Sequence, residues 1–149
     1  MTDLAGEARE VALAEAQAVL DMARDDAMRA RLAELVAALA DGTVDGHAEE
    51  LLEQVLELGL QAGRVRARYG PGGEQAALAT LRRLPRGRER TASARDVTDA
   101  LGALGGTTLE RVAITAVAPG SYSLSIQAGG LEASIRLDTT GARLVSLAT

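Results

Sequence analysis

The spacing of the apolar residues changes once along the chain, near Thr107, and this change most constrains the fold. Before it, apolar residues recur with the period of about 3.6 that marks amphipathic helices. After it they recur at every second position, as in half-buried strands, and Val112, Ile114 and Ala116 form one such set. Helices and strands that are segregated along a chain are typical of the α+β class, and the sequence predicts that class.

Four helices are expected before the change. A stretch free of Gly and Pro predicts the first over about residues 7–41, either continuous or bent near residues 25–26. The second is predicted over residues 47–68, so residues 1–69 form an N-terminal helical hairpin. A Gly- and Pro-rich stop at residues 69–73 precedes two shorter helices, at 74–84 and 93–104, which a polar linker at 86–91 separates.

Four strands are expected after the change, near residues 112–116, 122–128, 131–137 and 144–147. The turns between them contain Gly120, Gly129, Gly130 and Gly141, and they are short enough to force antiparallel pairing. The result is a four-stranded meander with a polar face in solvent and an apolar face that the fourth helix covers. We therefore expect domains at residues 1–69 and 70–149, or one continuous domain.

Composition excludes several kinds of site. The chain has no Cys and a single His, His47, which excludes disulfides, thiolate zinc sites, a Cys nucleophile and a multi-histidine metal site. Residues 41–46 begin like a calcium loop, but Leu52 stands where the bidentate carboxylate is needed. Acidic pairs such as Glu49 and Glu53 fit solvated helix faces. We predict no catalytic residue, metal ligand or cofactor, and an enzyme is disfavoured, although acid–base chemistry by carboxylates stays open.

The chain also lacks the signals of a membrane or secreted protein. No apolar run is long enough to span a bilayer, and the first residues are acidic. We expect a cytoplasmic protein without membrane contact.

Charge is distributed unevenly, and this predicts one candidate site. Residues 1–57 carry fourteen acidic and four basic side chains, whereas residues 58–95 carry nine Arg and two Glu. The basic block can bind a phosphate, a carboxylate ligand or an acidic protein surface, or its arginines can pair with the acidic first part of the chain. Nucleic acid is disfavoured, because the net charge is -5 and only two aromatic residues exist. The candidate ligand-binding residues are Arg64, Arg66, Arg68, Tyr69, Gly72, Gly73, Arg82 and Arg83.

Two functions follow from these patterns. The first is a non-enzymatic interaction or scaffold protein that self-associates, or docks on another protein, through its Ala- and Leu-striped N-terminal helices. The alternative is a small module that binds an anionic ligand at the Arg-rich helix end and the Gly-rich loop.

Overall fold

The computed structural model of the chain describes residues 1–149 and confirms the α+β class, with five helices and two antiparallel sheets. The helices are α1 (Gly6–Met22), α2 (Asp26–Asp41), α3 (Gly46–Gln61), α4 (Arg64–Arg83) and α5 (Pro85–Ala103). The strands are β1 (Thr2–Asp3), β2 (Thr43–Val44), β3 (Leu109–Ala118), β4 (Ser121–Ala128), β5 (Leu131–Asp138) and β6 (Gly141–Ala148). None of the helices combines the length and the hydropathy that crossing a bilayer requires.

The chain divides into two compact units, Met1–Arg88 and Glu89–Thr149. This division lies later in the chain than the expected boundary at residues 69–70. Helix α5 begins in the first unit and contributes residues 89–103 to the second.

The first predicted helix is two helices, and the break lies at the place where a bend was expected. Asp25 is the N-cap of α2, and its carboxylate accepts a hydrogen bond from the backbone N–H of Met28 at 2.8 Å. The other end of α2 stops at Gly42, which has a φ of 87° and caps the helix in the left-handed conformation. Local capping chemistry therefore sets both ends of α2.

The second predicted helix was wrong in its extent. α3 ends at Gln61 because Gly63 takes a φ of 70° and reverses the chain into α4. The stop predicted at residues 69–73 is confirmed at Gly70, whose φ of 68° and ψ of -166° are non-helical and divide α4 into two helical segments. Pro71 follows the kink at the start of a helical segment, where its missing N–H costs nothing.

The predicted linker at residues 86–91, and the helix start predicted near Ser93, were also wrong. α5 begins at Pro85 and continues to Ala103 without interruption. Pro is favourable at a first helical position, and the N–H of Arg86 donates to the carboxylate of Glu53 on α3 at 2.8 Å. A partner that is remote in sequence thus satisfies the first turn of α5, which local composition could not reveal.

The first unit is a helical bundle in which α1 packs against α2, α3 and α4. Its core is aliphatic and fully buried at residues such as Leu32, Leu35, Leu52 and Leu56. The N-terminal helices bury their apolar stripes in this core, and the exposed large apolar side chains of α1 to α4 are Met22 and Leu58.

The second unit contains the four-stranded sheet, in the order β3-β4-β5-β6, so the predicted meander is confirmed. The register pairs Val112 with Ile126 and Ile114 with Leu124 across β3 and β4, and Leu124 with Ile135 across β4 and β5. These partners share one face of the sheet because side chains alternate between faces. That face is apolar, and the opposite face carries residues such as Ser123, Ser125, Ser134 and Arg136.

Candidate functional site

Arg64 is the basic residue of the predicted anion site that is held most firmly by the chain itself. Its guanidinium donates two hydrogen bonds to the Oε2 atom of Glu15 on α1, at 2.9 and 3.3 Å. The side chain of Glu15 is 2% exposed and that of Arg64 is 33% exposed. Arg64 therefore neutralises a buried carboxylate, and an added anion would compete with it.

Neighbouring residues of the block also have partners within the first unit. Arg66 forms an ion pair with Glu74 at 3.1 Å on the surface of α4. The guanidinium of Arg68 lies 5.5 Å from the ring centroid of Tyr69, a cation–π contact. The exposed Arg82 and Arg83 occupy the last turn of α4, where positive charge stabilises a helix.

The glycines of the predicted site serve close packing. A Cβ at Gly73 would lie 2.1 Å from the Cβ of Tyr69 and 3.5 Å from a methyl group of Val11. A Cβ at Gly72 would lie 3.2 Å from the carboxylate of Glu7. An anion at this turn would therefore approach an acidic side chain, and the anion site stays a prediction that these contacts do not favour.

Three buried carboxylates were missed by the sequence analysis, which assigned Glu49 and Glu53 to a solvated face. Glu15, Glu49 and Glu53 are all buried in the first unit. Burial opposes ionisation of Glu49, but the hydroxyl of Thr2 at 2.6 Å and the amino group of Met1 at 3.2 Å outweigh it and lower the pKa of Glu49. These groups hold helices and the chain start together, and no cluster of His, Asp and Glu is arranged to hold a metal ion.

Glu53 differs from the other two because it is only partly satisfied. Its Oε1 atom accepts the backbone N–H of Arg86, whereas its Oε2 atom has no hydrogen bond and lies 3.9 Å from the Arg86 guanidinium. Helix spacing alone places Glu49 and Glu53 on the same face of α3. The sequence signal that could have found them is their spacing, because each lies three residues before a core leucine, Leu52 or Leu56, on the same helix face.

A group of exposed large apolar side chains lies on β3 and β4. Ile114 is 64% exposed and Val112 is 52% exposed, although both lie on the apolar face of the sheet. Tyr122, on the same face of β4, is 44% exposed. By contrast, Ala133 and Ile135 on β5 are fully buried. The apolar face is therefore covered on one half and open on the other.

Helix α5 covers the β5–β6 half. Ser93, Asp96 and Ala100 of α5 line a groove of about 600 Å³ together with Leu144 and Leu147 of β6. Leu104, directly after α5, packs against Ala128 and Ala133. The expectation that this helix covers the sheet is thus met for half of the face. We call the other half the open strip, and its apolar residues are Val112, Ile114 and Ala116 of β3 and Tyr122 and Leu124 of β4. Ile126 of β4 is left out because it packs against the cluster of Leu104, Ala128 and Ala133.

Strand β3 is also an edge of the sheet, and it carries few of the features that protect such edges. Residues 112–118 contain no charged residue, no Pro and no Gly. Every residue of β3 is exposed except Ala113, which is half-buried. The register of β3 with β4 is irregular near Leu109 and near Val117. Such irregularities interrupt the regular row of backbone hydrogen-bonding groups along the strand.

Comparison with protein-family models, with curated proteins and with solved structures found no match. The function is therefore argued from the chain's own surface.

Proposed function

We propose that this protein is a non-enzymatic interaction module that binds a protein partner through the open strip. The supporting observation is the exposure of Val112, Ile114 and Tyr122 on one continuous apolar face. An antiparallel sheet with one apolar face needs a second layer on that face, and α5 supplies half of it. Exposed apolar surface of this kind is typical of protein-binding sites.

The open strip replaces the N-terminal helices as the proposed interaction surface. The helices bury their apolar stripes inside the first unit, so they offer a partner little beyond Met22 and Leu58. The non-enzymatic part of the proposal is supported by the single histidine, His47, whose side chain is 96% exposed and lies 3.9 Å from Glu50, as is typical of a surface histidine. A cytoplasmic location, expected from the sequence, belongs to the same proposal.

The anion-binding alternative has weaker support. Arg64 and Arg66 already pair with Glu15 and Glu74, and Glu7 lies beside Gly72. Inorganic phosphate in a thermal unfolding assay tests this alternative: a site that used these arginines would raise the unfolding temperature as phosphate is added.

Site-specific photocrosslinking tests the interaction proposal. A photoreactive phenylalanine analogue is placed at Ile114, which lies on the open strip, or at Thr115, which pairs with Ser123 on the opposite face of the same strand. In the cells that produce the protein, we expect protein adducts from position 114 and few from position 115. Equal adduct yields at the two positions, or none at either, would contradict the proposal.

A further inference from the structure

We propose that the partner of the open strip is a second copy of this chain, which lays its own open strip on the first. This inference rests on the proposed interaction function and names the partner for it. It is carried by the dimensions of the covering layer, by the absence of charge on the strip, and by the area that two strips would bury.

The dimensions of the second unit leave room for one more helix or sheet in the layer that covers the apolar face. A helix is about 10 Å across, and strands lie about 4.8 Å apart, so one helix covers about two strands. The sheet has four strands and the unit supplies one helix, α5, on the β5–β6 half. The open strip is therefore about 10 Å wide and, at about 3.3 Å per residue over about five residues of each strand, roughly 16 Å long.

A second sheet fits this space. Sheets pack face to face at about 10 Å, the thickness of a helix, so another sheet can lie in the same layer as α5 and beside it. If a two-fold axis relates the copies, each β3–β4 half faces the other, and each α5 flanks the β3 edge of the partner. The contact closes on itself, because the same surface is used on both chains.

The chemistry of the strip suits a copy of itself. A two-fold contact places the same surface of both copies together, so an apolar strip meets an apolar strip and no charge is buried. The strip has none: its members are aliphatic, apart from the phenol of Tyr122. The nearest charged residues on β3, Glu110 and Arg111, lie at the start of the strand, outside the uncharged run at residues 112–118.

The buried area is sufficient for a modest dimer. The exposed large apolar residues on or beside the strip are Leu109, Val112, Ile114 and Tyr122. With the smaller exposed side chains of the strip they offer on the order of 400 Å² per copy, so two copies bury on the order of 800 Å², the size of a weak, transient interface. We therefore expect a dimer that dissociates at concentrations on the order of micromolar.

Sedimentation velocity of the full chain over about a hundredfold range of concentration around micromolar tests the inference. We expect a reversible shift from monomer to dimer for the unmodified chain. Ile114→Glu should weaken the dimer by at least about tenfold, because each copy buries a new charge against the other. Thr115→Glu adds the same charge to the opposite face and should leave the dimer unchanged. Matching unfolding curves for the two variants would show that both fold.

Thiol crosslinking gives a second test, which the absence of native Cys makes unambiguous. Sheets that pack about 10 Å apart hold facing Cα atoms too far apart for a disulfide, so the test uses a bifunctional thiol reagent with a spacer of about 10 Å. With this reagent, Ile114→Cys should form covalent dimers and Thr115→Cys should not. A chain that stays monomeric over the whole concentration range, or a dimer that Ile114→Glu leaves intact, would overturn the inference.

The two proposals fail in different ways. Photocrosslinks from position 114 to a different protein, with a monomeric chain, would keep the interaction function and refute the second copy as partner. Absence of crosslinks at position 114 together with a monomeric chain would refute both.

Discussion

The buried pair of Arg64 and Glu15 makes the sharpest prediction about stability. The perturbation is Arg64→Met, which keeps an unbranched apolar stem and removes the guanidinium with its charge and both of its hydrogen bonds. Glu15 cannot relax toward α3, because the backbone of Gly59 lies so close that a Cβ there would sit 2.3 Å from its Oε2 atom. The variant therefore leaves a carboxylate buried without its cation.

The magnitude follows from the burial of the two side chains. Removing one partner of a buried ion pair costs about 3–5 kcal/mol. A third of the Arg64 side chain is in water, and solvent there screens the charge of Glu15, so we take the lower end of that range. The expected loss is about 3 kcal/mol of unfolding free energy, on the order of a 10 °C fall in the unfolding temperature.

Urea unfolding followed by helical circular dichroism measures this loss. Arg66→Met is the matched control on the same helix, because the Arg66 side chain is 67% exposed and its pair with Glu74 should contribute under about 0.5 kcal/mol. The double variant Glu15→Leu with Arg64→Met removes both charges and should recover most of the loss. The reasoning is refuted if Arg64→Met costs no more than Arg66→Met, or if the double variant is as unstable as Arg64→Met alone.

Two further predictions concern the first unit. Gly73→Ala should lower the free energy of unfolding by about 2 kcal/mol, because its Cβ would overlap Tyr69; a urea midpoint equal to that of the unmodified chain would contradict this close packing. Thr2→Val should cost about 1 kcal/mol at neutral pH, because it removes a hydrogen bond to the buried Glu49 carboxylate. The folded pKa of Glu49 lies below its ordinary value, so its contribution is present above the unfolded pKa and is lost as pH falls through the folded pKa. The loss of unfolding free energy caused by Thr2→Val should therefore become smaller in acid. Urea midpoints of the variant and the unmodified chain at neutral and acidic pH measure this. A loss that is the same at both pH values would contradict the reasoning.

The four strands β3 to β6 could be predicted from sequence because every signal for them is local, whereas the short remote pair of β1 and β2 was missed. Alternation marks the apolar face, and glycines such as Gly120 and Gly130, with φ of 72° and 78°, mark the tight turns. The helix boundaries failed where a remote contact decides them. The start of α5 depends on Glu53, which lies on α3, and no local pattern around residues 85–91 contains that information.

Local signals also predicted part of the candidate site, but they did not predict the part that depends on contacts between remote segments. Alternation identified the residues of the apolar face, but it could not say how much of that face α5 would cover. A helix is about as wide as two neighbouring strands. The sequence therefore contained one further indication, because one helix can cover only two strands of a four-stranded sheet. For the arginines, the sequence left open that they pair with the acidic first part of the chain, and Arg64 does pair with Glu15 there. The particular partner could not be predicted, because the two residues are distant in sequence and their pairing depends on how α1 packs against α4.

Composition limits how strong a contact through the open strip can be. Binding energy in interfaces is concentrated in Trp, Tyr and Arg, and this chain has no Trp, no Phe and a single Tyr on the strip, Tyr122. Aliphatic contacts over the area of a weak, transient interface give a dimer whose population depends on concentration. At low protein concentration the uncharged edge of β3 would be exposed to solvent. At higher concentration α5 of the partner would cover this edge. The same association would thus bury the apolar strip and block uncontrolled pairing along that edge.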